Sequence, residues 1–369
     1  MVAWDGEGKT MGLAPYGKSE NVRGVLDPFY PKFKKGELIE AHDFGRAYLF
    51  NEKGGIQWHF DEAYEIKKLI DKYGAEDIAA EAQRVLEEQA MNLILPWLEK
   101  ENTKNLCCAG GVFLNVKLNQ RIWYSGKVSQ HHIFPNPGDS GLSLGAALYL
   151  HHHLSNLQQI KKISDLYWGP EFENNEIKTI LINRNLKFEV IENISKKCAQ
   201  LLAEGKIIGW FQGRMESGPR ALGSRSILMS PMSAKNKDII NARVKFREGF
   251  RPFCPSMILE SKDYFLEGAR SEEFMITSFD VKPTKADTIP AVVHVDGTVR
   301  PQLVRRDVNP KYYDLIKFFG DITGVPVLLN TSFNVKGEPI VCTPSDAIKC
   351  FYDTGLDYLA IGDFLVEKN

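Results

Sequence analysis

Residues 206–226 read KIIGWFQGRMESGPRALGSRS. The first part is a short apolar run of the kind that forms a buried strand. The rest crowds Arg214, Arg220 and Arg225 among glycine, serine and proline. Guanidinium groups repel one another, so such a cluster calls for anions. Small residues let a ligand approach backbone N–H groups, and arginine forks match carboxylate or phosphate oxygens. Glu216 is placed to neutralise one arginine from within. Taken alone, the stretch reads equally as a solvated charged loop, and the chain around it has to decide.

Working outward, ISKKCAQLLAEG (194–205) predicts a helix that ends at a glycine. Strand candidates follow at AVVHVDG (291–297), TVRPQLVR (298–305) and VPVLLNTSF (325–333), with a helix at PKYYDLIKFFGDIT (310–323). TPSDAIKCFYDTG (343–355) reads as a helix capped by Thr343 or Ser345, before a strand candidate YLAIGDFLVEK (358–368). Upstream, the apolar spacing over residues 61–100 predicts two long helices. A strand and Gly-Gly turn follow in NLCCAGGVFLN (105–115), then a strand within 122–135 and a helix from about 140. The polar stretch 151–175 marks a domain boundary. The fold class is mixed α/β, in two parts.

Composition limits the partners. The net charge of −1 over 369 residues, with 43% apolar and 25% charged residues, is that of a globular protein with no bulk affinity for nucleic acid or anionic membranes. No apolar run approaches the roughly 18 residues of a membrane span, and MVAWDGEGKT lacks the features of a signal peptide. The six cysteines form no CxxC and read as buried reduced thiols of a cytoplasmic protein. Any anion site must therefore be local.

Three further stretches have the same chemistry as the arginine loop. ARVKFREGFRPFCPS (242–256) sets Lys245 and Arg247 two apart, on one face if the segment is a strand, with Arg251 following. HVDGTVRPQLV (294–304) brings His294 and Arg300 to a turn. LLNTSFNVKGEP (328–339) offers Asn330, Thr331, Ser332 and Asn334 at a strand end. Each is weak alone; together they describe a pocket for a small phosphorylated or nucleotide ligand. In the first part, Gly110 and Gly111 let backbone N–H groups approach a nucleotide. Asn115 is placed to touch the ligand or cap the next helix.

GPRALGSRSIL, KFREGFRPFCPS and LLNTSFNVKGEP resemble the YrdC-like domain of the NodU/CmcH family of O-carbamoyltransferases. EGKTMGLAPYGK (7–18), CCAGGVFLNVKLNQRI (107–122) and FPNPGDSGLSLGAALY (134–149) resemble the later part of that family's ASKHA-type domain, the actin and Hsp70 nucleotide-binding fold. The six motifs occur in the family's order over nearly the whole chain. The resemblance implies an ASKHA-type part over 1–155, a linker over 156–172 and a YrdC-like domain over 173–369. It also implies a two-step reaction: carbamoyl phosphate and ATP form carbamoyl-adenylate, and the carbamoyl group passes to a hydroxyl of a small-molecule or sugar acceptor.

By the same resemblance Lys245, Arg220, Arg247, Arg300 and Ser332 do the chemistry. Arg214, Arg225, Asn334, Thr331, Gly110, Gly111 and Asn115 hold the nucleotide. Asp139 matches a metal-ligand aspartate; without the resemblance it reads as a helix N-cap. The implied cofactors are ATP with magnesium and an iron-type metal in the ASKHA domain. The family's metal-binding histidine pair lies upstream of MGLAPYG, so the expectation here is a chain lacking most of the N-terminal lobe, with an incomplete metal site. A homodimer is a possible assembly. Two other readings share these elements: a threonylcarbamoyl-adenylate synthase serving tRNA modification, and a truncated nucleotide-binding relic.

Overall fold

The computed structural model describes residues 6–41, 49–50, 56–57, 61–155 and 163–368. The first residues of the expected linker, 156–162, lie outside the described residues, as do 1–5. The chain forms two compact units, one of residues 1–108 with 117–132, the other of residues 109–116 with 133–369.

The first unit is built on the two expected helices, Asp61–Tyr73 and Ala75–Lys100. Gly74, at φ 90°, makes the break between them, a conformation glycine adopts without strain. Val22, Leu26 and Ile78 form a small core with Leu69, Ile70 and Tyr73. Buried Glu81 is satisfied by Arg84 and by the N–H of Gly24. Among the described residues no helix is long and apolar enough to cross a membrane.

The second unit carries an eight-stranded mixed sheet. In chain order its strands are β1 (Phe188–Val190), β2 (Ile208–Phe211), β3 (Arg225–Met229), β4 (Cys254–Ile258), β5 (Gln302–Val304), β6 (Val327–Ser332), β7 (Tyr358–Ile361) and β8 (Phe364–Glu367). Their spatial order is β5-β4-β6-β3-β2-β7-β8-β1. β2 runs parallel to β7 and β4 to β5, and the other pairings are antiparallel. β2 and β3 are buried along their whole length, β3 with the polar Arg225 and Ser226 at its start. One face packs on helices α1 (Ile194–Ala203) and α2 (Pro310–Thr323). Trp210, Tyr312, Leu228, Leu328 and Phe319 meet there, each fully buried. Burial of each such side chain stabilises by about 1.5–3 kcal/mol. A third helix, α3 (Pro344–Asp353), lies against β2 and β7; Thr343 caps it in a capping box with Asp346.

Register decides what the sheet presents. The pairs Phe211–Arg225, Ser332–Ser226, Cys254–Asn330 and Gln302–Ser256 lie along one end. The loops entering β3, β4 and β5 and leaving β6 therefore converge. These are the four stretches that the sequence marked as anion-binding.

Several local expectations are corrected. Lys245 and Arg247 are not on a strand: Asn241–Lys245 is a π-helical turn, closed by Phe246 in the left-handed region at φ 47°. AVVHVDG forms turns instead of a strand. The run TVRPQLVR breaks at Arg300-Pro301, leaving Thr298–Val299 in a small separate sheet and β5 in the large one. YLAIGDFLVEK folds back at Gly362 into the β7–β8 hairpin. Cys107 is exposed, Cys342 is half-buried, and the other four cysteines are buried.

Gly223 is the tightest point of the loop before β3. Its φ is +97°, and a Cβ there would lie 2.1 Å from the ring of Tyr312. Both the backbone strain and the collision with a fully buried aromatic oppose any side chain. Gly223→Ala is expected to destabilise the chain by about 3 kcal/mol, measured by denaturant unfolding. An unchanged midpoint would show that the loop is not held against α2.

Candidate functional site

The loop before β3 is held from inside. Glu216, 2% exposed, accepts hydrogen bonds at Oε1 from the N–H groups of Leu222 (2.6 Å), Ser224 (3.2 Å) and Arg225 (3.2 Å). The loop's carbonyls are pinned from outside. Asn330 Nδ2 reaches Ala221 O, Tyr167 Oη and Gln302 Nε2 reach Leu222 O, and Trp210 Nε1 reaches Gly223 O. Glu216 thus organises backbone, and its charge reaches Arg225 through space.

The three arginines of this loop differ sharply. Arg225 is fully buried in β3. Its Nη1 and Nη2 donate to the carbonyls of Gln212, Gly213, Ser224 and Pro170, and its guanidinium lies 3.6 Å over the Phe211 ring. Burial pushes its pKa down to about 10, with Glu216 opposing. Arg214 is exposed and ties the backbone of Trp168 (2.9 Å) and Gly169 (3.2 Å). Both hold the frame. Among the described residues Arg220 alone of the three makes no hydrogen bond; its Nε, like that of Arg225, is buried without a partner. Burial and the neighbouring Arg300 both act against its charge. A guanidinium does not escape by deprotonating, so the charge stays in place there.

Around it stand four more cations. Lys245, 5% exposed, points Nζ at Ser332 O (2.5 Å), Ser332 Oγ (3.2 Å), Asn334 O (3.0 Å) and Asn334 Oδ1 (2.7 Å). Burial, then Arg247 and Arg251, push its pKa down to about 7. Arg247 lies 4.4 Å over the Phe253 ring and donates to Asn241 Oδ1 and Pro252 O. Burial and then Arg251 push its pKa down to about 10. Arg251 sits 3.8 Å from Glu248. Arg300 places Nε and Nη2 at 3.1 and 2.9 Å from Cys254 Sγ. Arg300 and Arg251 act against the charges of both Arg220 and Arg247, and Arg247 and Arg251 against that of Lys245, so these groups share one locality at the sheet end.

Of the residues picked from sequence, the structure therefore brings together Arg220, Lys245, Arg247, Arg300, Ser332 and Asn334. Thr331 is in the β6 ladder opposite Ile227. His294 packs toward Asp296 (3.4 Å). Gly110, at φ 111°, donates its N–H to Pro137 O, and the space where a Cβ would stand on Gly110 or Gly111 is open. Asn115 ends the short 3-10 turn Gly111–Leu114. Asp139 opens the 3-10 turn Asp139–Gly141 before the helix Leu142–Ser155, which rules out its reading as that helix's N-cap. Among the described residues no three His, Cys, Asp or Glu side chains are placed to hold a metal ion. Asp139 by itself does not make a firm metal site.

Sequence reasoning passed over Cys254, which it read only as a packing thiol. The signal was its place in RPFCPS, three residues after an arginine of the cluster.

Comparison with known proteins gives the family. A sequence profile described as Carbamoyltransferase C-terminus matches residues 199–368, and one described as Carbamoyltransferase N-terminus matches residues 3–148. Nodulation protein NolO of Bradyrhizobium diazoefficiens is 39% identical, over 98% of this chain and 66% of its own length. An uncharacterized protein of Methanocaldococcus jannaschii is 34% identical, over 98% of this chain and 68% of its own. The crystal structure of full-length HypF in the phosphate- and nucleotide-bound form aligns with a TM-score of 0.33 at 20% identity, over 49% of this chain and 22% of that one. The chain spans 66% of NolO and 53% of the NolNO protein of Sinorhizobium fredii. It belongs to the carbamoyltransferase family.

Proposed function

Starting from that membership, we propose that the cation cluster joins carbamoyl phosphate and ATP into carbamoyl-adenylate, from which the carbamoyl group passes to a hydroxyl of a small acceptor. The observation that carries this reading is Arg220, with its buried Nε unpartnered, amid four other cations. Water cleaves carbamoyl phosphate to carbamate and phosphate. A carbamate oxygen then attacks the α-phosphorus of ATP, and pyrophosphate leaves. Both substrates are polyanions, so their approach is the obstacle, and fixed cations remove it. Arg220 and Arg300 take phosphate oxygens. Lys245, held by Ser332 and Asn334, supplies a charge beside them, and Arg247 is stacked in place on Phe253. Magnesium bound to ATP would screen the remaining charge.

Lys245 gives this reading a pH dependence. With its pKa held at about 7 by burial and by Arg247, the ammonium is present below that pH and lost above it. An arriving anion favours the ammonium. Binding near and above neutrality therefore takes up a proton, and anion affinity falls as pH rises through about 7.

The test is direct. The purified chain, given ATP and carbamoyl phosphate, should release phosphate and pyrophosphate in equal amounts. Bicarbonate with threonine should give neither. Formation of ADP, or of phosphate without pyrophosphate, would rule out the adenylate route.

A further inference from the structure

We propose that Cys254 is the positioning residue for Arg300: its sulfur accepts the two guanidinium hydrogen bonds that aim Arg300 at the anion. This rests on the cluster being the anion site of the reaction proposed above. Cys254 opens β4, pairs with Asn330 across the sheet and is 5% exposed. Arg300 lies at the break between two strand segments, before Pro301, where no ladder fixes it. What holds it is the sulfur, with Nε at 3.1 Å and Nη2 at 2.9 Å. Both bonds use one edge of the guanidinium, and Nη1 is left for a ligand.

The choice of atom has a reason. A carboxylate at position 254 would orient Arg300 equally well and cancel the charge that the substrate anion needs. Sulfur is a weak acceptor, so it fixes direction and leaves the charge in place. A second observation marks the same spot as a ligand site: Arg220, whose charge the neighbouring Arg300 opposes, keeps a buried Nε without a partner. The sequence RPFCPS thus places an acceptor among arginines at a point where the sheet register fixes it.

The experiment is calorimetric titration of the full chain with inorganic pyrophosphate, which needs no turnover. Cys254→Ala should weaken binding about tenfold, the scale of one charge-assisted hydrogen bond. Cys254→Ser, which keeps an acceptor, should recover to within about threefold of the parent chain. Cys254→Val, which fills the space without an acceptor, carries the same expectation as alanine should the alanine variant fail to fold. In an Arg300→Met background, Cys254→Ala should change affinity less than about twofold, because the residue it positions is gone.

Parent-like affinity in both Cys254→Ala and Cys254→Val overturns the proposal. So does an equal loss with and without Arg300, which would mark Cys254 as ordinary packing. A parent chain that binds pyrophosphate, shows the coupling and yet does not consume carbamoyl phosphate supports the Cys254–Arg300 assignment and overturns the reaction instead.

Discussion

Replacing Arg220 with methionine is expected to lower turnover of carbamoyl phosphate and ATP by about 10²–10³, the usual effect of removing one fixed charge from a developing anion. The same change should leave the ligand-free protein as stable as before or more so. The Arg220 guanidinium makes no hydrogen bond, its Nε is buried, and Arg300 and Arg251 repel it. Arg220 is half-buried, and holding a charge partly out of water without a partner has a cost that an apolar side chain of similar length removes. The melting temperature of Arg220→Met should therefore hold or rise by a few degrees, about 1 kcal/mol for a unit of this size. Added pyrophosphate should reverse the order. It stabilises the parent by about 2.7 kcal/mol at a hundredfold excess over Kd and the variant by much less. Calorimetric scans with and without pyrophosphate read both. A variant that melts several degrees lower and keeps its turnover would make Arg220 a structural residue like Arg225.

That contrast between Arg220 and Arg225 marks the limit of what the sequence made legible. Helices α2 and α3 were readable because apolar spacing and the Thr343 cap are local signals. That the four stretches belong together was readable from their shared composition. Which arginine stays free was not. Arg225 is spent on carbonyls as distant in the chain as Pro170, and Arg214 on Trp168 and Gly169. Nothing in GRMESGPRALGSRS distinguishes these from Arg220, because the partners come from the fold. The Lys245–Arg247 spacing misled for a related reason. Two positions two apart fit a strand, and they fit equally a π-turn closed by a left-handed Phe246. The β7–β8 hairpin was legible in principle, since Gly362-Asp363 between apolar runs is a hairpin signal. Read as one strand, YLAIGDFLVEK hid it.

Lys245→Met should lower adenylate formation by as much as Arg220→Met, and here stability should fall with it. The Nζ of Lys245 serves oxygens of both Ser332 and Asn334. Methionine fills the space and leaves those acceptors without their donor, at a cost of about 1–3 kcal/mol. The pH dependence sharpens the test. The Lys245 pKa is pushed from 10.5 down to about 7 by burial first and then by Arg247. Below about pH 7 the group is protonated in both folded and unfolded chains. Between about 7 and 10.5 the unfolded chain binds the extra proton, so stability rises with pH across that window. Denaturant unfolding of parent and variant at pH 6 and pH 9 should show the parent's advantage growing toward pH 9. Its affinity for pyrophosphate should meanwhile weaken, because the ammonium that attracts the anion is the form being lost. A single group moves the two quantities in opposite directions. If the stability gap between parent and Lys245→Met is the same at both pH values, Lys245 keeps its proton throughout, held by the four oxygens around it. The pH dependence of anion binding would then have to come from another group.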